Sequence, residues 1–397
     1  MTGKSYILAY QAERFCRLPQ PATSLFQGFS MTLASLTTTV PTTPVTSAGI
    51  DRVRTYLDRL DEPAAWDASQ LHARREQWDI ALTDSETATV TEVVAACEER
   101  LQSWTASPDV APWRELTAPL APVLARVHDA LEQGVGIARL RNLPVRPSNA
   151  EVPFDENMLW AVGAHLGEPV NQMGRGKLLA QLQDNRDPRR GRDVRPEDTN
   201  EPLKHHTDGS DLLMLLCVRQ SEVGGNSFVS SSARVVQEIA RRRPELLPTL
   251  LEDCFPFDRN EEQPQGEPPY YLTRLCTVIG GRISVRYSRE LIDTALKAPG
   301  APQLTDAQID LLNTFDSIAA EGGAEVDFRS GDLMIINNYS VMHGRSPFSD
   351  PPERIEARLL LRLWLALSDA RPLPFDFDRG VNTDGVGRGG TPYTHTA

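Results

Sequence analysis

Two polar residues in the middle of the chain have the types and spacing that a metal site requires. His206 and Asp208 occur in the segment KHHTDGSDLLMLLCV, which runs into a continuous apolar stretch. In an extended backbone, residues two positions apart emerge on the same face. An imidazole and a carboxylate could therefore bind one metal ion from a single strand end. The adjacent His205 competes for this role, but no carboxylate stands two residues after it.

A second histidine is needed from a distant part of the chain. A divalent iron that also binds a co-substrate and dioxygen keeps several positions open and takes two histidines and one carboxylate from the protein. Of the seven histidines, His343 has the best context, because it follows the apolar run DLMIINN and a Gly331-Asp332 turn. The HxD pattern has little specificity by itself, so the prediction needs support from other residues.

That support comes from the segment RLLLRLWL, which begins fifteen residues after His343. Strand alternation places Arg358, Arg362 and Trp364 on one face and leucines on the other. One interpretation is a strand with one wet face. The other is a pair of arginines inside a barrel, where a guanidinium can grip a carboxylate with two hydrogen bonds. We favour Arg358 for this grip over the nearby Arg354, because strand phase decides which face an arginine occupies.

The elements that must position these residues differ along the chain. We predict a flexible leader over residues 1–49, rich in Thr, Ser and Pro, with Met31 as a possible start of translation. A helical N-terminal extension follows over 50–113, where Thr89 and Glu92 could form a capping box. The main domain spans 114–378, and a Gly-rich flexible tail spans 379–397.

The main domain contains a helix over APVLARVHDALEQG and then many short strand-like runs separated by Gly, Pro, Asn and Asp. This pattern predicts an α+β, mainly β fold, a sandwich or barrel rather than a wound parallel sheet. Two long polar insertions, 184–202 and 258–269, interrupt the strands. The basic stretch RDPRRGRDVR in the first of them is either a lid over an anion or a solvated loop.

The amino-acid composition limits the kinds of partner that the protein can bind. The net charge of −13 disfavours a nucleic-acid binder, because phosphate contacts need clustered Lys and Arg. The sequence contains no apolar run of about 20 residues, so we expect no membrane partner and no export signal. Five scattered cysteines without a CxxC pair fit a reducing cytoplasm. The sequence is compatible with a homo-oligomer and does not decide the oligomeric state.

Ordered motifs between Ala130 and Pro374 resemble the taurine dioxygenase-like (TauD/TfdA) superfamily of Fe(II)/2-oxoglutarate enzymes. The pattern runs through ALEQGVGIARLRNLPV, LGEPVNQ, HTDGSDLLMLLCVRQSEVGGNSFVSSS, GRISVRYSREL, GDLMIINNYSVMHGR and RLLLRLWL. The resemblance implies a double-stranded β-helix, or jelly roll, with flanking helices. It also implies iron held by His206, Asp208 and His343, and 2-oxoglutarate held by Arg358 with the hydroxyl of Ser227.

The resemblance also suggests positions that border the substrate. Arg362 matches a position that contacts anionic substrates in relatives, or it serves as a second partner of the co-substrate. Asn171 and Gln172 fall in a stretch that borders the pocket, and Arg286 could project inward. Each of these three is equally well explained as a satisfied structural polar group.

The implied reaction couples decarboxylation of 2-oxoglutarate, with O₂, to oxidation of an unactivated C–H bond, with release of succinate and CO₂. Hydroxylation of a small substrate, anionic or amino-acid-like, is the expected outcome. Asp208 argues against a halogenase, since iron halogenases of this fold have Gly or Ala at that position. Two alternatives stay open: a non-catalytic jelly-roll binding module, and a cupin-like metal enzyme that does not use 2-oxoglutarate.

Overall fold

The computed structural model describes residues 47–100, 110–146, 152–172, 178–184, 196–259, 268–351, 357–367, 371–374 and 377. The predicted leader therefore lies almost wholly outside the described residues, and so does the predicted tail. The basic stretch of the first insertion and the rival arginine Arg354 also lie outside them.

The larger sheet carries the strand with the two arginines. Its order within the described residues is β1, β2, β14, β6, β17 and β3, and β4 also pairs with β17. These strands are β1 (Asp79–Ala81), β2 (Ile137–Arg141), β3 (Glu168–Pro169), β4 (Leu179–Leu182), β6 (Leu212–Arg219), β14 (Leu333–Asn337) and β17 (Leu359–Ala366). All the pairings are antiparallel except that of β1 with β2.

The smaller sheet carries both predicted histidine ligands. Its order is β13, β8, β15 and β5, and its pairings are antiparallel. The strands are β5 (Leu203–His206), β8 (Ser227–Ser231), β13 (Ala324–Val326) and β15 (Val341–Arg345). Three strand pairs complete the β structure: β7 (Val223–Gly224) with β16 (Phe348–Ser349), β9 (Cys254–Asp258) with β10 (Tyr270–Arg274), and β11 (Cys276–Ile279) with β12 (Arg282–Val285).

Helices cover the outer faces of the sheets. They are α1 (Ser47–Asp58), α2 (Ala68–Ala73), α3 (Asp84–Arg100), α4 (Ala111–Leu116), α5 (Ala121–Glu132), α6 (Val152–Leu166), α7 (Ser232–Arg242), α8 (Leu247–Glu252), α9 (Arg289–Ala295) and α10 (Asp306–Gly322). The predicted capping box at Thr89 is wrong, because α3 begins five residues earlier. Thr83 and Glu86 cap it instead: the Glu86 amide donates to Thr83 Oγ1 at 3.2 Å and the Thr83 amide donates to Glu86 Oε2 at 2.8 Å.

The N-terminal extension is integrated into the fold. Besides its helices it supplies β1, which the sequence analysis did not predict and which pairs in parallel with β2 at the edge of the larger sheet. Leu57 of α1 and Val94 of α3 are completely buried in the apolar cores of the molecule. Residues 47–100 and the β domain therefore share their cores.

Both faces of β17 are buried, which excludes the interpretation of a strand with one wet face. Leu359, Leu361, Leu363 and Leu365 pack on the side of helices α3, α5 and α6. Leu360 and Trp364 face the core between the two sheets. Arg362, between them in the alternation, is only 5% exposed. An arginine buried at that position requires a polar partner or a ligand.

Among the helices that the structure describes, none combines the length and the apolar character that crossing a bilayer demands.

Candidate active site

His206, Asp208 and His343 converge at one end of the sandwich. His206 ends β5, His343 lies in the neighbouring β15, and the two are register partners. Asp208 lies in the loop that leads from β5 of the smaller sheet to β6 of the larger one. One ligand atom from each of the three residues falls within 4.8 Å of the others.

The donor set fits the metal that the sequence predicts. Nε2 of His206 is 3.8 Å from Asp208 Oδ1, and Nε2 of His343 is 3.9 Å from Asp208 Oδ2. The imidazole rings lie 4.3 Å apart between centroids. Two imidazole nitrogens and one carboxylate oxygen on one side, with a cavity on the other, match the facial arrangement of non-haem Fe(II).

The charge state of Asp208 suits a metal ligand. Burial by itself would raise the pKa of this carboxyl, but Arg362 and the two imidazoles outweigh burial and lower its pKa to about 2. Trp364 adds to this effect, because its Nε1 donates a 2.9 Å hydrogen bond to Asp208 Oδ2. Asp208 is therefore a carboxylate at neutral pH, as metal binding requires.

The ligand His343 is neutral for a related reason. Burial, and then the neighbouring His206, lower the pKa of His343 to about 3. His206 contacts the carbonyl oxygen of Lys204 through Nδ1 at 2.8 Å, which leaves Nε2 to face the carboxylate. A hydrogen bond at the ring nitrogen that does not bind the metal fixes the orientation of a ligating imidazole.

The backbone between the two ligands on the β5 side is held in place. The amide of Thr207 donates to Tyr287 O at 2.7 Å, and the amide of Asp208 donates to Asn338 Oδ1 at 3.2 Å. Arg286 Nη1 donates to Thr207 O at 2.6 Å and to its Oγ1 at 3.1 Å. These two hydrogen bonds of Arg286 support the backbone between His206 and Asp208, and Arg286 also lines the cavity.

A cavity of about 820 Å³ adjoins the three ligands. It runs from the exposed side of His206 inward between the sheets, where Leu215, Met334 and Leu360 provide apolar walls. This volume falls in the range that holds a small ligand with most of its surface buried. It leaves room for both a co-substrate and a substrate beside the metal.

The inner end of the cavity is basic. Arg358 is 5% exposed, and burial lowers the pKa of its guanidinium. In the part of the chain that is described, this guanidinium has no hydrogen bond or ion pair; it stacks over Phe348 at 5.1 Å. Ser227, on β8, is also buried and lines the same cavity. The cation and hydroxyl that the resemblance assigns to a co-substrate carboxylate therefore line one chamber.

Arg362 lies beside the metal ligand Asp208. Its Nη1 is 3.9 Å from Asp208 Oδ2, and its Nη2 is 3.4 Å from Glu197 Oε1. Gln172 orients it, because Gln172 Oε1 accepts from Arg362 Nε at 2.7 Å and Gln172 Nε2 donates to Arg362 O at 3.0 Å. Asn171, the other predicted polar residue, is buried beside Gln172.

The outer end of the cavity carries charges of both signs, from Lys204, Arg289 and Lys297 as well as from Glu290 and Asp293. Glu290, in the first turn of α9, lines the cavity and makes no hydrogen bond or ion pair with any described residue. Burial raises the pKa of Glu290, the charge of His206 opposes this rise, and the charge of Glu197 adds to it. A half-buried carboxylate without a partner marks a place where a positively charged group of a ligand would be stabilised.

Several residues of the site were not identified from the sequence. Trp364 was placed on the correct face, but its bond to Asp208 was not predicted. Asn338, Glu290 and Arg345 were also missed. The HGR run that contains Arg345 offered a signal, since alternation puts Arg345 on the same face as His343.

Comparisons with known proteins agree with this arrangement. The family model described as "Taurine catabolism dioxygenase TauD, TfdA family" matches residues 99–364. FR-33289 synthase of Streptomyces rubellomurinus is 29% identical over 318 residues, which cover 78% of this chain and 91% of that protein. A uridine-5'-phosphate dioxygenase of a Streptomyces species is 28% identical over 173 residues, covering 41% of this chain and 61% of that protein.

Two solved structures have the same fold. Asparagine oxygenase in complex with Fe(II), 3-hydroxyasparagine and succinate has a TM-score of 0.60 at 18% identity, covering 72% of this chain and 93% of that one. The non-haem iron oxygenase OrfP with Fe and alpha-ketoglutaric acid has a TM-score of 0.58 at 20% identity, covering 74% and 95%. The predicted fold class, a mainly β jelly roll with flanking helices, is confirmed.

Proposed function

The chain belongs to the TauD/TfdA dioxygenase family, and we propose that it hydroxylates an unactivated C–H bond of a small amino-acid-like substrate in the cavity beside His206. The broader sequence prediction, an Fe(II)- and 2-oxoglutarate-dependent dioxygenase that uses O₂, is confirmed. The observation that carries the proposal is the convergence of two imidazoles and one carboxylate on a cavity with a cationic inner end.

The chain's residues have separate tasks in this proposal. His206, Asp208 and His343 hold the iron, and Arg358 with Ser227 holds the distal carboxylate of 2-oxoglutarate. Iron, dioxygen and 2-oxoglutarate together supply the oxidising chemistry, with succinate and CO₂ as by-products. Trp364 and Arg362 keep Asp208 ionised and oriented. The apolar walls exclude water from the reacting C–H bond.

The charges around the cavity support an amino-acid-like substrate. Arg362 offers a cation beside the metal ligands, and Glu290 offers an anion that forms no ion pair with a described residue. A zwitterion meets both charges at close range, whereas a simple anion leaves Glu290 with only opposing charges beyond ion-pair distance, such as that of Lys297. Asparagine oxygenase and OrfP were solved with hydroxylated amino acids, which agrees with this choice. Gln172 and Arg286 line the same cavity, and with Asn171, the neighbour of Gln172 in the chain, they complete the proposed substrate side.

The proposal also includes the location of the enzyme, its partners and the roles of the other segments of the chain. We place the enzyme in the cytoplasm, acting on a free small molecule and requiring no nucleic acid or membrane. In this proposal the extension over 50–113 works as one unit with the dioxygenase domain over 114–378, which the apolar cores shared by their described residues support. The leader over 1–49 and the tail over 379–397 have no part in the chemistry.

A screen for substrate-coupled succinate release tests the proposal. The protein is loaded with Fe(II) without air, mixed with 2-oxoglutarate and single compounds, and exposed to air. The compounds are amino acids, matched carboxylic acids without the amino group, and phosphonates. We expect succinate in step with substrate loss for an amino acid, and none with Asp208→Ala. Metal-dependent turnover without succinate would support the cupin-like alternative, and binding without turnover would support the non-catalytic module.

A further inference from the structure

Arg345 lies at the same depth in the cavity as the residues assigned to the co-substrate. It stands two residues after His343 on β15, so the two side chains share a face. On the neighbouring β8, His343 pairs with Val229 and Arg345 pairs with Ser227. Arg345 on β15 and Ser227 on β8 are therefore direct neighbours, two residues along their strands from His343 and Val229. Both residues line the cavity together with Arg358.

Arg345 and Arg358 form a pair of buried cations. Each is 5% exposed. Their guanidinium carbons lie over the ring of Phe348, at 4.7 Å for Arg345 and 5.1 Å for Arg358. Burial, and then repulsion from Arg358, lower the pKa of Arg345 to about 10. Glu197, Asp184 and Asp350 act on Arg345 only from beyond ion-pair distance, and Asp350 acts on Arg358 in the same way. Since no described carboxylate forms an ion pair with either guanidinium, an anionic ligand between them would be stabilised.

Arg345 is held in place and still has donors to offer. Its Nη2 donates to the carbonyl oxygens of Thr199, at 2.8 Å, and of Glu201. Its Nε is buried without a hydrogen-bond partner, and its Nη1 has no hydrogen bond within the described part of the chain. A guanidinium fixed through one amino group loses little further conformational freedom when it binds a carboxylate.

We propose that Arg345 is a second cationic contact for the distal carboxylate of 2-oxoglutarate, beside Arg358 and Ser227. This inference rests on the proposed function. It assigns to Arg345 the selection of keto acids that carry a second carboxylate. The competing explanation is structural: Arg345 would only tie the backbone at Thr199 and Glu201 to β15.

A comparison of two keto acids separates these explanations. 2-Oxoglutarate and 2-oxovalerate have the same five-carbon chain and the same keto-acid end, but only the first has a distal carboxylate. Each is titrated into the anaerobic Fe(II) protein while the visible charge-transfer absorption of the iron–keto-acid complex is followed. The variant is Arg345→Met, which keeps an unbranched apolar side chain in place of the aliphatic part of arginine and removes its charge and donors.

We expect Arg345→Met to weaken 2-oxoglutarate binding by about 10- to 100-fold, the range for loss of a charge-assisted hydrogen bond. Binding of 2-oxovalerate should stay within about twofold, which also shows that the fold and the iron site are intact. The matched control is Arg114→Met, outside the cavity, where a guanidinium also donates to a backbone carbonyl, that of Ala164. It should bind both acids as the unmodified protein does.

The outcomes that would overturn the proposal are distinct. Unchanged 2-oxoglutarate affinity, or an equal loss for both keto acids, would leave Arg345 with the structural role alone. If Arg345→Met does not fold, Arg345→Lys provides the test: it retains the charge, so its loss should be smaller and still confined to 2-oxoglutarate. An unmodified protein that binds neither acid would instead contradict the proposed function.

Discussion

Trp364 donates a hydrogen bond from its indole Nε1 to Oδ2 of Asp208, across 2.9 Å and between residues 156 positions apart in the chain. Oδ2 is also the oxygen nearer to His343. The indole therefore holds the carboxylate in the orientation in which it faces both imidazoles. Mutation of a residue that orients a metal ligand in this way typically weakens metal binding by about 10- to 100-fold.

Replacing Trp364 with phenylalanine should therefore weaken metal binding. Trp364→Phe keeps the ring in the apolar core and removes only the donor, so we expect the dissociation constant for Fe(II) or Co(II) to rise about tenfold. Metal titration followed by absorbance or calorimetry measures it. Trp78→Phe is the matched control, because Trp78 Nε1 donates to a backbone carbonyl far from the site. Equal metal affinities in the two variants would refute the role of Trp364.

Arg358→Ala should chiefly raise the requirement for 2-oxoglutarate. Loss of the buried guanidinium removes the main partner of the distal carboxylate, so we expect the KM for 2-oxoglutarate to rise at least tenfold with Fe(II) affinity unchanged. Succinate formation at increasing 2-oxoglutarate measures the effect. A variant with normal 2-oxoglutarate affinity would transfer the assignment to Arg354 or Arg362.

The variant Glu290→Gln tests whether the substrate is a zwitterion. The change keeps the size of the side chain and removes its charge, so we expect about a tenfold higher KM for the amino-acid substrate with kcat little changed. Asp293→Asn is the control, since Asp293 already pairs with Arg289 at 3.0 Å. An unchanged or lower KM for Glu290→Gln would mean that the substrate is a simple anion.

The buried histidines predict sensitivity to acid. Burial, and then His206, lower the pKa of His205 from 6.5 to about 4. The unfolded chain takes up this proton near pH 6.5 and the folded chain does not, so stability falls as the pH drops from about 6.5 towards 4. For His205 the loss at pH 5 is about 2 kcal/mol.

Urea unfolding of the metal-free protein at pH 7 and pH 5 tests this linkage. His205→Gln removes one of the groups that resist protonation, so the free energy of unfolding should fall less between the two pH values than in the unmodified protein. His343, whose pKa is lowered to about 3 by burial and by His206, and His165, whose pKa is lowered by burial, contribute to the decrease that remains. Identical decreases in both proteins would contradict the assignment.

The sequence predicted the parts of the site that depend on local pattern. The two-residue spacing of His206 and Asp208 predicted that these side chains come together, and the structure brings them together. The alternation in β17 correctly predicted that Trp364 and Leu360 share a face. A distant histidine after an apolar strand was enough to suggest His343. These inferences need only the geometry of one extended segment at a time.

Features that depend on pairing between segments were not predicted. The register of β15 against β8 puts Arg345 level with Ser227, and no local pattern encodes that register. The bonds of Trp364 and Asn338 to Asp208 likewise join residues more than a hundred positions apart. The strand Asp79–Ala81 is too short for a periodic signal, and it exists because β2 offers a free edge.

Asp208 belongs to the crossing from one sheet to the other, whereas both imidazoles belong to the smaller sheet. Before the two sheets pack together, the smaller sheet can bring the imidazole nitrogens of His206 and His343 together. The carboxylate of Asp208 is not yet held beside them. We therefore expect tight iron binding to arise only at the last stage of folding. The ion then adds its binding energy to the docked state alone, and so it stabilises the packing of the two sheets against each other.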